Sequence, residues 1–405
     1  MNGIVFAEQF YFPEGWGGAQ LPRDITTHLA KAGFDVEVVC GSDQYAPESV
    51  SGSQDPRSSG VRIRHIPRLL PGNIHRLKLL RQLWFYLGAL PLLLFRRRPG
   101  LFVTQTNPPL LVPMVALAAL LHRCPVVIVA QDLYPEVLFA HGVSSDGHLV
   151  GRLLTTLFRW AYRRADRVVS LGPVMTRRLA AKGVPVDRIR EISNWATGEE
   201  SIVRGSDNRL RSAWNLDGKF VVLYSGNIGI AHDVETPIRA VRVALARSPQ
   251  LRLVFVGTGP RIEEARRLTS ELGLEEEVTF HPLVPTDLLP HSLGLADVAL
   301  VTLRDGFEGL VVPSKLLGCM ARAVPALYVG PESDVEQLVR LSGCGLCFRC
   351  GAVQELANGI TELVMNRGLL NQMGASGSRY YAQHLSRSSS LHAYDQLVHE
   401  VLDLR

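Results

Sequence analysis

The sequence predicts an α/β protein made of two successive parallel-sheet units. From Gly3 to Lys182, short β-branched and aliphatic runs alternate with glycine-containing loops and helix-length segments. Such alternation builds parallel sheets joined by right-handed crossovers. The rhythm stops over Ser193–Asp217, a polar stretch poor in β-branched residues, and restarts at Phe220. With 405 residues, 46% of them hydrophobic and 20% charged, the chain can bury sizeable cores in roughly two or three domains.

The elements follow in order. Gly3–Ala7 is a short apolar run, expected as a buried strand. A loop containing Gly15, Gly17 and Gly18 leads into a helix over Ala19–Ala32, which Gly33 ends. Asp35–Cys40 and Val61–Ile66 read as strands around a polar, serine-rich loop, Ser42–Gly60. Leu77–Phe95 is helical, Leu101–Thr104 a strand, and Leu110–Leu121 an apolar core helix. Val126–Ala130 is a strand, followed by the loop Gln131–Gly142 and a helix over His148–Arg164. Arg167–Ser170 is a strand and Val174–Lys182 a helix. In the second unit the strands are Phe220–Tyr224, Leu251–Val256, Val278–Phe280, Val298–Val301 and Ala326–Val329. Helices cover Val234–Arg247, Arg261–Leu272 and most of Val353–Leu402. The expected domains are 1–192 and 193–385, with a closing helical segment, 386–405, packing back toward the first. Both are expected as Rossmann-like domains facing across a cleft, with ligands at the carboxyl ends of the strands.

Composition narrows the class. Six cysteines are too few for a disulfide scaffold. The start MNGIVFAEQF has no basic region and no long apolar run, so no secretory signal is expected and cytoplasmic residence follows. Cys344, Cys347 and Cys350 have C-x-x-C-x-x-C spacing, but in an extended segment the outer two would stand ~20 Å apart. Buried thiols are expected, and no metal site. The net charge of +5 is uneven: Pro56–Gln131 contains eleven Arg and Lys and no Asp or Glu. Such a block points to a polyanionic partner. Within it, LWFYLGALPLLLF (Leu83–Phe95) precedes Arg96, Arg97 and Arg98. Aromatics, aliphatics and flanking cations suit an anionic membrane surface better than nucleic acid. The run falls short of the roughly 20 residues a membrane span needs.

Gly306–Ala321, GFEGLVVPSKLLGCMA, combines a glycine-rich loop, the carboxylate Glu308 and a helix expected to start near Pro313, with Ser314 and Lys315 in its first turn. Backbone N–H groups, a hydroxyl and a full positive charge are suited to a phosphate or diphosphate. Glu308 is placed to hydrogen-bond sugar hydroxyls.

In chain order, FYFPEGWGGAQ, TNPPLL, QDLYPE, AYRRADRVVSLG, SNW, SGNIG and GFEGLVVPSKLLG resemble the family 4 glycosyltransferases of GT-B fold. These enzymes transfer a sugar from a nucleotide diphosphate. The PSKLL form resembles the branch that builds bacterial surface polysaccharides such as colanic acid, O-antigen and exopolysaccharide. The resemblance implies retaining, metal-independent transfer without a cofactor, from a nucleotide sugar, UDP-linked by expectation, to a polyprenyl-diphosphate-linked sugar. It implies catalytic roles for Asp132, Glu308 and Lys315. It implies donor-binding roles for Gly17, Gly18, Gly226, Asn227, His232, Gly257, Gly259, Pro260, Gly309, Leu310 and Ser314. Peripheral association with the inner face of the cytoplasmic membrane is expected, with no nucleic-acid partner.

The chain departs from the family pattern at four positions. Asn227 stands where an Arg is often found and His232 roughly where a Lys is expected, so the positive charge rests on Lys315 and His232. Gln131 stands in place of a histidine, leaving Asp132, with Glu136 second, as the acceptor-side carboxylate. Gly318 stands where many members carry a second Glu. Two other readings stay open: a nucleotide-sugar epimerase on the same fold, and a catalytically silent membrane-surface binding protein.

Overall fold

The apolar runs form two all-parallel sheets in a computed structural model that describes residues 3–11, 17–41, 55–67, 78–95, 99–142, 147–196 and 201–403. One compact unit comprises Met1–Thr197 with Arg387–Arg405; the other comprises Gly198–Ser386.

Unit 1 runs β1 (Gly3–Glu8), α1 (Gly17–Lys31), β2 (Asp35–Gly41), β3 (Arg62–Ile66), α2 (Lys78–Leu94), β4 (Leu101–Gln105), α3 (Leu111–His122) and β5 (Val126–Val129). It continues with α4 (Glu136–Ala140), α5 (Leu149–Arg164), β6 (Arg167–Ser170), α6 (Pro173–Ala181) and β7 (Ile189–Glu191). The strand order is β3-β2-β1-β4-β5-β6-β7, so the winding reverses between β1 and β4. Ile4, Phe6, Val36, Val38, Val103 and Val127 point to one face and meet α1 residues Leu21, Ile25 and Leu29, as the two-residue strand period requires.

Unit 2 runs α7 (Arg209–Ala213), β8 (Phe220–Ser225), α8 (Glu235–Ala244), β9 (Leu251–Val256), α9 (Ile262–Glu271), β10 (Val278–His281) and α10 (Leu289–Leu293). Then come β11 (Val298–Thr302), α11 (Lys315–Ala321), β12 (Ala326–Val329), α12 (Asp334–Ser342), β13 (Gly345–Phe348), α13 (Val353–Met365) and α14 (Arg367–His384). The order β10-β9-β8-β11-β12-β13 places the reversal between β8 and β11.

Four expectations need correction. Gly17 and Gly18 are not loop residues but the first turn of α1, while Phe12–Trp16 of the same motif lie outside the described residues. The helix after the GFEGLVVPSKLLG motif starts at Lys315, with Ser314 at its N-cap. The cysteine-rich segment forms edge strand β13, preceded by a helix the sequence reading did not assign, α12. There the Ser333 side chain accepts from the Glu336 N–H at 3.3 Å, the S-x-x-E arrangement of a capping box. The basic block is also more neutralised than its composition implies. Arg62 pairs with Asp35, Arg64 with Glu37, and Arg81 is buried. Arg96, Arg97 and Arg98 lie outside the described residues.

The last helix, α15 (Arg387–Asp403), belongs to unit 1 and packs on α1. Leu391, Tyr394, Leu397, Val398 and Val401 join the core beside Trp195. Asp24, at 5% exposure, ties these parts together. Its carboxylate accepts the Trp195 indole N–H at 3.0 Å and pairs with Arg387 at 2.9 Å. Removing one partner of a buried polar group strands the other. Asp24→Ala is therefore expected to cost about 2–3 kcal/mol, and Trp195→Phe, which keeps the Asp24–Arg387 pair, less. Hydrogen exchange should locate the loss in α1 and α15. Unchanged protection of α15 in a folded Asp24→Ala protein would refute the clamp.

Candidate active site

In an open parallel sheet, ligands bind beyond the carboxyl ends of the strands where the winding reverses. In unit 2 that point lies between β8 and β11, and the sequence-predicted residues gather there. The turn after β8 and the turn after β9 touch backbone to backbone. The Ile228 N–H donates to the Thr258 carbonyl at 2.8 Å, and the Gly226 N–H to the Val256 carbonyl at 2.8 Å. Both Gly257 and Gly259 have positive φ, 152° and 153°. A Cβ on Gly257 would sit 2.0 Å from the Gly226 carbonyl oxygen, and one on Gly259 2.4 Å from that of Ile228. Glycine is required at both positions. Pro260 follows, exposed.

Lys315 reaches across to this pair of turns. Its Nζ donates to the Asn227 carbonyl at 3.2 Å and stands 4.8 Å from the centroid of the Tyr224 ring. The Tyr224 hydroxyl donates to the same carbonyl at 2.8 Å. Asn227 thus acts here through its backbone, not its side chain. Burial lowers the Lys315 ammonium from 10.5 to about 8. In the window from about 8 to 10.5 the unfolded chain holds a proton the folded chain has lost, so this group's contribution to stability rises with pH. At neutral pH the cation is present and incompletely compensated.

His232 does not supply the second cation expected of it. Burial, then the nearby Lys315 charge, lowers its imidazole to about 4. Its Nδ1 lies 2.8 Å from the Thr302 carbonyl oxygen, which places the proton on Nδ1. The neutral ring therefore offers Nε2 as a hydrogen-bond acceptor, suited to a hydroxyl rather than a phosphate. The Arg261 guanidinium donates to the His232 carbonyl at 2.6 Å and pairs with Glu264.

After β11, the Glu308 carboxylate accepts the Gly306 N–H at 2.8 Å and closes its own loop. Gly309 has φ +67°. Leu310 is buried, and its N–H is spent on the Phe307 carbonyl at 3.0 Å. Ser314 is exposed and makes no capping bond with its hydroxyl. At Gly318 an added Cβ would meet only the Arg322 guanidinium, at 3.5 Å, so packing does not require glycine there. Among the described residues no trio of His, Cys, Asp or Glu is placed to hold a metal ion. The Cys350 thiol donates to the Leu303 carbonyl, and Cys344 is buried.

Unit 1 has its own polar cluster at the carboxyl ends of β1, β4 and β5. Thr106 Oγ1 accepts both the Gln131 and the Asp132 N–H, each at 3.0 Å. The Gln131 and Asn194 side-chain amides bond each other reciprocally, at 2.7 and 3.2 Å. Gln131 therefore anchors the SNW segment. Asp132 is half-buried, and burial raises it from 3.8 to about 6. Glu136 is taken by Lys182, which leaves Asp132 as the carboxylate available on this loop. Glu8, at the end of β1, is buried and raised well above the carboxylate range, its Oε1 accepting the Gln105 N–H. Sequence reading missed Tyr224, Arg261, Thr106, Asn194 and Glu8. The motifs containing Tyr224 and Asn194 were legible, but nothing in them says which backbone atoms those side chains hold.

A diphosphate bound at Lys315 should restore its proton. UDP binding measured near pH 8.5, above the phosphate's own second ionisation at ~6, is expected to take up a substantial fraction of a proton. Calorimetry in buffers of different ionisation enthalpy reads this uptake directly. It should vanish in Lys315→Met; uptake that persists there would assign the proton to another group.

Residues 17–195 match the family model of the glycosyl transferase 4-like domain, and residues 206–380 that of the glycosyl transferases group 1. The probable glycosyltransferase WbjE of Pseudomonas aeruginosa is 29% identical over 254 residues, 62% of either chain. The putative colanic acid biosynthesis glycosyl transferase WcaI of Escherichia coli is 25% identical over 370 residues, 88% of this chain and 90% of its own. Anabaena HepE, in complex with UDP and glucose, superposes with a TM-score of 0.72 at 16% identity, covering 99% of this chain and 100% of HepE. Sucrose-phosphate synthase from Thermosynechococcus elongatus does so at 0.72 and 18% identity, covering 100% of both chains. At such identities the structures share the fold, two parallel-sheet α/β domains of GT-B type. With both family domains matched in order, the chain belongs to the family 4 glycosyltransferases of GT-B fold.

Proposed function

We propose that this glycosyltransferase moves a sugar from a UDP-linked donor to a lipid-linked sugar acceptor in surface polysaccharide assembly, with retention at the anomeric carbon and without a metal or other cofactor. The observation that carries the reading is Lys315, a partly desolvated cation held over the Tyr224 ring at the winding reversal of unit 2. A departing diphosphate would neutralise that charge, and a preorganised cation stabilises developing negative charge more than water does. The glycine turns at Gly226, Gly257 and Gly259 would let the diphosphate approach the backbone. The neutral His232 would accept from a donor-sugar hydroxyl. Glu308 would exchange its bond to Gly306 for sugar hydroxyls, and Asp132 would face the acceptor. Attack by an acceptor hydroxyl would come from the face the diphosphate leaves. HepE, solved with UDP and with UDP-glucose, supports the choice of nucleotide. WcaI, described as a colanic acid enzyme, supports the polymer.

No helix among the described residues is long and apolar enough to cross a membrane. The reading places the enzyme peripherally at the inner face of the cytoplasmic membrane, where a polyprenyl-diphosphate-linked acceptor is presented. Nucleic acid is not an expected partner.

Purified protein incubated with a panel of UDP-sugars without acceptor should release UDP slowly from one of them. Conversion of the sugar without UDP release would favour an epimerase, and absence of UDP binding a silent protein. Lys315→Ala should lower turnover by ~10²-fold or more; near-normal turnover in the folded variant would end its assignment. Glu308→Gln should weaken transfer while UDP affinity stays close to normal. Equal loss of UDP affinity would place Glu308 in nucleotide binding or in folding.

A further inference from the structure

We propose that the outer surfaces of α2, α3 and α5 form one docking face that inserts into an anionic lipid bilayer. α3 lies between the other two and packs against both. Each helix buries one side and turns a second apolar side outward. On α3, Val112, Val115, Ala116 and Ala119 are buried while Leu117, Leu120 and Leu121 are exposed. Their i, i+3, i+4 spacing makes one stripe. On α2, Leu80, Leu83 and Leu87 form a matching stripe, and Phe95, just beyond its end, is 88% exposed. On α5, Leu149, Val150, Leu153 and Trp160 face outward, Leu149 at 83% exposure. Of the seventeen exposed large hydrophobic side chains among the described residues, ten lie on these three helices and an eleventh, Phe95, follows the end of α2. A surface this concentrated marks an interaction site.

Charge selects the occupant. No Asp or Glu occurs in any of the three helices. On α5, Arg152, Arg159 and Arg163 are exposed, and their spacing puts them in one row beside the apolar stripe. Apolar side chains flanked by arginines suit a helix lying in the interface, its apolar face among the acyl chains and its cations among acidic headgroups. A second copy of the chain fits less well. A two-fold interface brings the same patch against itself, and these arginine rows would meet no carboxylate. The face also differs from the composition-based expectation: the described cations of the basic block are largely paired or buried, and the outward surface owes more to leucines and to α5. Its purpose rests on the lipid-linked-acceptor reading, since it would hold the enzyme where such an acceptor is presented.

Flotation of the full chain with phosphatidylcholine vesicles, with and without phosphatidylglycerol, tests the proposal without any sugar substrate. Binding should be stronger with the anionic lipid and should persist in part at high salt, since salt screens charges but not apolar insertion. Leu149→Ser/Leu153→Ser and Leu117→Gln/Leu121→Gln should each weaken binding about tenfold or more. Arg152→Gln/Arg159→Gln should remove most of the preference for anionic lipid. Leu341→Gln/Met365→Gln, exposed in unit 2, should change nothing. Brominated lipids should quench wild-type tryptophan fluorescence, and less so in Trp160→Phe, a readout that stands even if a double variant does not fold. Wild-type binding by leucine variants of normal melting temperature would overturn the proposal. So would sedimentation showing a dimer that the same substitutions dissociate, which would assign the face to a second copy. If no UDP-sugar is turned over while vesicle binding behaves as stated, the transferase reading fails and the docking face remains.

Discussion

The close approach of two glycine turns in unit 2 is the constraint on which the candidate site depends. Gly226, Gly257 and Gly259 bring the ends of β8 and β9 within hydrogen-bond distance, where a Cβ on Gly257 would stand 2.0 Å from a carbonyl oxygen. Because those backbones are locked together, the Asn227 carbonyl is fixed in space. That one oxygen gathers the Tyr224 hydroxyl and the Lys315 ammonium. The position of the cation is thus set by main-chain geometry rather than by a carboxylate partner. A carboxylate would stabilise Lys315 in the empty enzyme but would compete with a diphosphate. A carbonyl and an aromatic face hold it more weakly and leave its charge available.

The same desolvation divides the roles of Lys315 and His232. Lys315 begins from a high intrinsic basicity, so burial brings it to about 8 and it remains charged at neutral pH. His232 begins near neutrality, so burial beside that cation brings it to about 4 and it stays neutral. Two neighbouring basic residues therefore present one cation and one hydrogen-bond acceptor. That combination matches a ligand with an anionic end and a hydroxylated end, as a nucleotide sugar has.

What the sequence reveals follows from what each signal measures. Buried parallel strands are continuous apolar runs, so the principal strands of both sheets are legible, and with them the fold and the turns that follow. The edge strand β13 was obscured because its cysteines invited a metal reading, and α12 because its capping box went unread. The basic block misleads for a different reason. Composition counts Arg62 and Arg64 as free cations, but strand register sets Glu37 of β2 opposite Arg62, and Asp35 and Glu37 neutralise the pair. That pairing is a property of the sheet, invisible along the chain. The neutral state of His232 is likewise invisible, since burial is not written in residue spacing. An apolar helix such as α3 reads as core on every side, and only its neighbours decide which side is covered.

In unit 1 the amide at Gln131, where the resemblance implies a histidine, changes what the loop after β5 can do. An imidazole there could titrate; an amide cannot. Gln131 instead spends its side chain on Asn194 and its N–H on Thr106, which stiffens the loop. Thr106 also accepts the N–H of Asp132, so the one carboxylate left available on the loop sits on a fixed backbone. Burial raises that carboxyl to about 6. From 3.8 to about 6 the folded chain keeps a proton the unfolded chain has shed, so ionising Asp132 lowers stability as pH rises through that window. A group whose ionisation costs stability gains most from a partner that relieves it. On the proposed function, an acceptor hydroxyl donating to Asp132 would do so, at the moment its oxygen must become more nucleophilic. The substitution thus concentrates acid–base capacity on the neighbouring residue while removing it from position 131.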